Sequence, residues 1–257
     1  GLDSMDFVQK QGINGPIWTL IALDSHDYPT SGDVTREKLI QVILDAQLPD
    51  GGWDLSGENA DTDMTAMAIQ ALAPYYETNE TVKAAVNKAL DTLSGLQCAD
   101  GGFGSWGTVN SESCAQVIVA LTALGIDPAT DSRFIKNGLT ILDALASYYV
   151  DGGGFKHTAD GELDGMATEQ GYYALAAYYR FVNGQTSLYD MSDVTIQIDS
   201  HTHNFGKWTV TTPATCTTAG VETRTCACGA TETRVIPATG HVDADHDGKC
   251  DVCQAVI

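Results

Sequence analysis

Five cysteines and four histidines fall within the 53 residues from His201 to Cys253. Thiolates and imidazoles are the ligands zinc prefers, and Cys250-Asp-Val-Cys253 has the spacing that sets two sulfurs on one ion. Two ligand sets are expected: His203, Cys216, Cys226 and Cys228, then His241, His246, Cys250 and Cys253. Cys226-Ala-Cys228 is tighter than the usual Cys-x-x-Cys, which leaves room for one of that pair to be idle. Disulfides are the rival and are natural outside the cell, although Cys226 and Cys228 are poorly placed to bond each other; free thiols are the third reading. Calcium is a further alternative. Asp243, Asp245, Asp247 and Gly248 match the first half of a calcium loop, with Asp251 at its ninth position but Gln254 where the bidentate glutamate belongs.

Earlier in the chain, Asp61, Asp63, Glu112, Asp164 and Glu169 fall at the starts of apolar segments, with Trp53, Trp106 and Tyr172 nearby. Carboxylates beside aromatics suit a carbohydrate, a cation or a cofactor. The same residue types also cap helices and fill cores, so both readings stand.

The elements that must position these groups repeat. "NGPIWTLIAL" (14–23), "DMTAMAIQAL" (63–72), "ESCAQVIVAL" (112–121) and "MATEQGYYAL" (166–175) align on Ala-Leu with spacings of 49, 49 and 54, and such a period indicates a repeat architecture. Each is apolar nearly all round, as a helix buried on most sides would be. Asn14, Asp63 and Glu112 are expected near their N-termini. Between them, 35–47, 80–97 and 132–149 carry an i, i+3, i+4 apolar stripe with a polar back, the pattern of outer helices. Residues 8–183 are therefore expected to be almost wholly helical. Outer helices end in "QLPDGGW", "LQCADGGF" and "VDGGGF", where glycine permits a left-handed stop and aspartate bonds the turn's own amides. The aromatic of each is expected to plug the seam between repeats.

At these residues the chain resembles the prenyltransferase and squalene-cyclase repeat superfamily. "QLPDGGW" and "LQCADGGF" look like its glutamine–aromatic motif, and "DGMATEQGYYALAAYYRF" looks like its inner helix. The resemblance implies a partial α/α toroid of inner and outer helix layers, about four repeats, over residues 1–190. Within the superfamily, repeat regions of surface proteins from Gram-positive gut bacteria look most similar, and "QGINGPIW" resembles their opening. A squalene-type cyclase protonates an alkene with an Asp-x-Asp-Asp motif, but here Asp61-Thr62-Asp63-Met64 lacks the last carboxylate. The zinc set of protein prenyltransferases has no matching spacing around Cys98, Cys114, His26 or His157. The Cys-Gly-Glu-Gln of thioester domains meets only "ATEQ".

After about Asp190, helix formers give way to Thr, Val and Pro, so a small β-rich Cys/His module is expected over 191–257. It is similar to a repeat module of Clostridia-type surface proteins, and "DGKCDVC" looks like the end of a second copy. The chain has 13 basic and 34 acidic residues, net −21, which excludes a nucleic-acid partner. No apolar run reaches membrane-spanning length. The start at a glycine inside a repeat is expected of a fragment, so a missing export signal is uninformative. The expected function is non-catalytic: ligand binding or display by a secreted or wall-attached bacterial protein, with a small molecule, glycan or surface protein as partner. An isoprenoid-processing enzyme and a cobalamin-like cofactor carrier are the alternatives.

Overall fold

The computed structural model describes residues 3–195 and 203–257; His201 lies outside them. The chain forms two compact units, Gly1–Thr195 and Ile196–Ile257.

In the first unit, α1 (Met5–Val8) leads into α2 (Asn14–Asp24), followed by α3 (Arg36–Asp45), α4 (Thr62–Leu72), α5 (Glu80–Leu96), α6 (Ser111–Ala123), α7 (Ile141–Ser147) and α8 (Gly165–Val182). The Ala-Leu segments are α2, α4, α6 and α8, which pack on one another in chain order. Helices α3, α5 and α7 each cover the helix before or beside them. Burial separates the two layers. Every residue from Ser111 to Thr122 in α6 is buried, whereas α5 buries only the stripe Val82, Val86, Ala89, Leu90 and Leu93.

Residues 8–183 are less helical than expected, because two-stranded hairpins lead into α6, α7 and α8. The strands are β1 (Phe103–Ser105) with β2 (Thr108–Asn110), β3 (Ile135–Lys136) with β4 (Leu139–Thr140), and β5 (Phe155–Lys156) with β6 (Leu163–Asp164). The outer helix expected over 132–149 shrinks to α7 for a local reason. Asn137-Gly138, at φ of 52° and 79°, makes a two-residue hairpin turn of the kind Asn-Gly favours.

The Asp-Gly-Gly-aromatic turns tie one repeat to the next. Gln47 Nε2 donates to Gly51 O and to Ala85 O in α5, both at 2.8 Å. Gln97 does the same to Gly101 O and Phe134 O. Asp50 accepts from Gly52 N and Ala60 N, and Asp100 accepts from Gly102 N. A side chain at Gly52 would put its Cβ 2.4 Å from that of Ala60, so the turn closes only on glycine. Trp53, Phe103 and Phe155 are sealed in the core. The third turn has Tyr149 in the glutamine's place; among the described residues no outer helix follows α8, so none is there to pin.

The second unit is a three-stranded antiparallel sheet, β7 (Thr209–Thr212), β8 (Gly220–Thr225) and β9 (Thr231–Ile236), then a stretch without helix or strand. One part of it is held by charge and rings. Arg224 and Arg234 lie over Trp208, 4.8 and 4.5 Å from its ring, and pair with Glu232 and Glu222. Apolar burial is nearly absent. Cys216, Cys226, Cys250 and Gly220 are the only buried residues among those described.

Candidate functional site

Asp61, Asn110 and Asp164 are the side-chain caps of α4, α6 and α8, accepting from Met64 N, Ser113 N and Ala167 N. Asp63 and Glu112 sit in the first turn, near the N-termini as expected, while the capping itself falls to Asp61 and Asn110. Helix α2 has no side-chain cap, and Asn14 is already helical. Because these helices pack side by side, Asp61, Asp63 and Glu112 come together. Ser105, from the next hairpin, donates to Asp61 Oδ2 at 2.5 Å. Glu112 receives Ser111 Oγ and lies 2.9–3.0 Å from His157 Nδ1. No spacing in the sequence singles out His157 as the partner of Glu112; backbone pairing of Ser111 N with His157 O and the bond from Ser111 Oγ to Lys156 O bring it there.

Asp63 is the unusual group. It is partly buried, and its Oδ1 is closed off without a hydrogen-bonding partner, as is the hydroxyl of Ser113. Burial raises its pKa from 3.8 to about 6, and the charges of Asp61 and Glu112 add to the rise; the neighbouring hydroxyls of Ser113 and Ser105 oppose it.

The other expected ligand residues are dispersed. Trp53 is fully buried, with its indole donating to Ile43 O at 2.6 Å. Trp106 is 74% exposed at the β1–β2 tip. Asp164 is committed as a cap, Glu169 is exposed, and Tyr172 is half-exposed with its ring edge-on to Phe155.

Deeper in the inner layer runs a buried polar chain. Gln70 Nε2 donates to Gln116 O and Oε1, each at 3.0 Å, and Gln116 Nε2 bonds Gln170 Oε1 and Tyr173 OH. The chain leads to a cavity of about 670 Å³ at the opposite end, where all four inner helices finish. Its walls include Ile21, Asp24, Gln70, Val119, Phe181 and Tyr189. The segment after α8 returns across it: Arg180 bonds Thr186 O and pairs with Asp193, Met191 N reaches Ser25 O, and Tyr189 meets Trp18 edge-on at 5.8 Å. Gln70 Oε1 is closed off between the inner helices without a hydrogen-bonding partner. The cavity lies where the inner helices end, away from Asp61, Asp63 and Glu112 at their starts.

In the second unit, three groups could hold a metal ion. One is Cys216, His241, Cys250 and Cys253; another is His203, Cys226 and Cys228; the third is Asp243, Asp245 and Asp247. Donor atoms within each group lie within 4.8 Å of one another. The expected sets are thus regrouped. Cys216 leaves the first for the second, because Gly240 N bonds Cys216 O and draws the following histidine to it. His246 drops out, its Nδ1 facing Asp243 O at 3.2 Å. None of the seven cysteines is joined in a disulfide. Cys216 and Cys250 sulfurs are 3.7 Å apart, and Cys228 and Cys253 lie 3.4 and 3.3 Å from His203 and His241 Nδ1. The aspartate group is spent on its own loop, accepting from Asp247 N, Gly248 N and Lys249 N. In the first unit, Cys114 occupies the position that Thr65 and Thr168 hold against the aromatics of their own repeats. Burial pushes its thiol up to about 12, which suits a core residue.

The family model described as the prenyltransferase alpha-alpha toroid domain matches residues 4–211. No curated protein matches the chain. Among the described residues, no helix is long and apolar enough to cross a membrane.

Proposed function

Since the chain belongs to the prenyltransferase alpha-alpha toroid family, we propose that its helical unit is an open arc of that toroid that binds a small molecule and does not transform one. In this reading the four inner helices line the arc and the cavity at their ends is the binding site. The single observation that carries it is the 670 Å³ cavity itself, walled by the last turns of all four inner helices and by the segment that follows α8. The cavity is within the common size range for small-molecule sites. The last turns of the four inner helices wall it and Asp190 adds a carboxylate, whereas Asp24 is committed to Arg36 and Tyr75, so a ligand bearing N–H or O–H donors fits best.

The second unit is read as a zinc module. Sulfur with imidazole is a soft donor set that favours zinc over calcium, and sulfurs 3.7 Å apart are not bonded as a disulfide. Acidity throughout the chain and the module's resemblance to surface repeats support a secreted or wall-attached protein of a Gram-positive bacterium.

A second reading, an isoprenoid-processing enzyme, has one observation in its favour. Asp63 keeps its proton up to about pH 6 and stands where the family's acid motif would place a carboxyl. Met64, buried, replaces the motif's final carboxylate. Incubation with squalene and with geranylgeranyl diphosphate is expected to leave both unchanged. A cyclised product that disappears in Asp63→Asn would overturn the binding reading. The cobalamin-like carrier is a special case of ligand binding, and it would show as a coloured bound species.

A further inference from the structure

We propose that the second unit's four-ligand metal centre is a staple between consecutive modules: Cys216, from the stretch ahead of β8, completes the coordination of an ion otherwise held by His241, Cys250 and Cys253 of the following segment. This rests on the zinc reading and goes beyond it in assigning what the ion joins.

The two cysteine–histidine groups share a pattern. Each has one histidine and a close cysteine pair, and in each a cysteine sulfur stands 3.3–3.4 Å from histidine Nδ1. Cys216 breaks the pattern. It lies between His203 and Cys226 in sequence, and no cysteine lies between His241 and Cys250. Yet its sulfur is beside Cys250, 34 residues away. A ligand written within the first set is used by the second.

The geometry suits a tetrahedral ion. With zinc–sulfur bonds of about 2.3 Å, two sulfurs on one ion stand about 3.8 Å apart, against 3.7 Å here. Backbone pairing positions the donors without the ion: Thr239 N donates to Thr215 O at 3.0 Å and Gly240 N to Cys216 O at 3.1 Å. Gly220 lets that stretch fold tightly on β8, since a Cβ there would lie 2.4 Å from Ala214 N and Thr212 O.

The need for an ion is plain from burial. Residues 237–257 carry no helix or strand, and Cys250 is their only buried residue. No apolar core holds this segment to the sheet, so binding energy at the centre becomes folding energy for the segment. Four protein ligands also close the coordination shell, the mark of a structural site. In a longer run of such modules, each copy would be pinned to its predecessor, giving a stiff stalk in place of a flexible string.

Metal content of the full chain, with cobalt substitution to report thiolate coordination, tests this together with limited proteolysis. Wild type is expected to carry about two ions, one for each cysteine–histidine group. Cys216→Ser should lose one ion and expose residues 241–257 to protease. Cys253→Ser should lose the same ion, so the double variant loses no more than either single one. Cys228→Ser should lose the other ion and leave 241–257 protected, and His246→Ala should lose none. Full metal content and a protected tail in Cys216→Ser would overturn the staple while leaving the zinc reading intact, as would two ions lost in the double variant. Wild type that binds neither zinc nor cobalt would defeat the zinc reading itself.

Discussion

Trp53→Ala is expected to destabilise the helical unit by about 3–5 kcal/mol, the range for removing a large aromatic from a closed core. Three contacts converge on this residue. Its ring is fully buried among the repeats, its indole donates to Ile43 O, and its backbone N–H donates to Thr65 Oγ1 at 2.9 Å. The turn that carries it is held by Gln47 to α5, so the cavity left by alanine lies at a seam between two repeats. Relaxation into that space would have to move both repeats. Urea unfolding followed by helical circular dichroism measures the loss. A change below about 1 kcal/mol would place the ring outside the load of the core, because such surface-like values are what unburied sites give.

Asp63→Asn should stabilise the protein at pH 8 by about 3 kcal/mol and have little effect below pH 4. The folded state raises this carboxyl from 3.8 to about 6, so it holds its proton more tightly than the unfolded chain does. Its stabilising contribution is full below the unfolded value and is lost as pH rises through the folded value. Above pH 6 the protein carries a buried charge with an unpartnered oxygen, and a shift of about two units corresponds to about 3 kcal/mol. Asparagine keeps the shape and drops the charge. Unfolding curves at pH 4 and pH 8 separate the two variants, and a loss of stability at pH 8 would show that the ionised form is itself bonded to something.

The inner helices were legible because their apolar content and the Ala-Leu register survive in every repeat. The outer helices were legible where their stripes are unbroken, as in α5, but not over 132–140. There the stripe reads as a helix until Asn137-Gly138, and the preference of that pair for a hairpin turn prevails over periodicity. Which residue caps each inner helix was not legible: Asp61 and Asn110, two positions ahead of Asp63 and Glu112, take that role only once the chain entering the helix is placed. Glu112 with His157, and Cys216 with Cys250, could not be read at all. Both contacts depend on long-range backbone pairing, which leaves no spacing signature. The cavity leaves no trace in the sequence for a related reason: carboxylates mark helix starts, whereas backbone carbonyls at helix ends carry no residue-type signature.

The binding claim is tested most directly by native mass spectrometry of the full chain, purified without denaturant or chelator and then re-exposed to a small-molecule cell extract. The account predicts a retained small molecule on the wild-type protein. It should leave on denaturation, and it should be depleted in Gln70→Ala while the zinc content stays the same. Masses that the polypeptide and its metal ions explain completely, in wild type and variant alike, would contradict it.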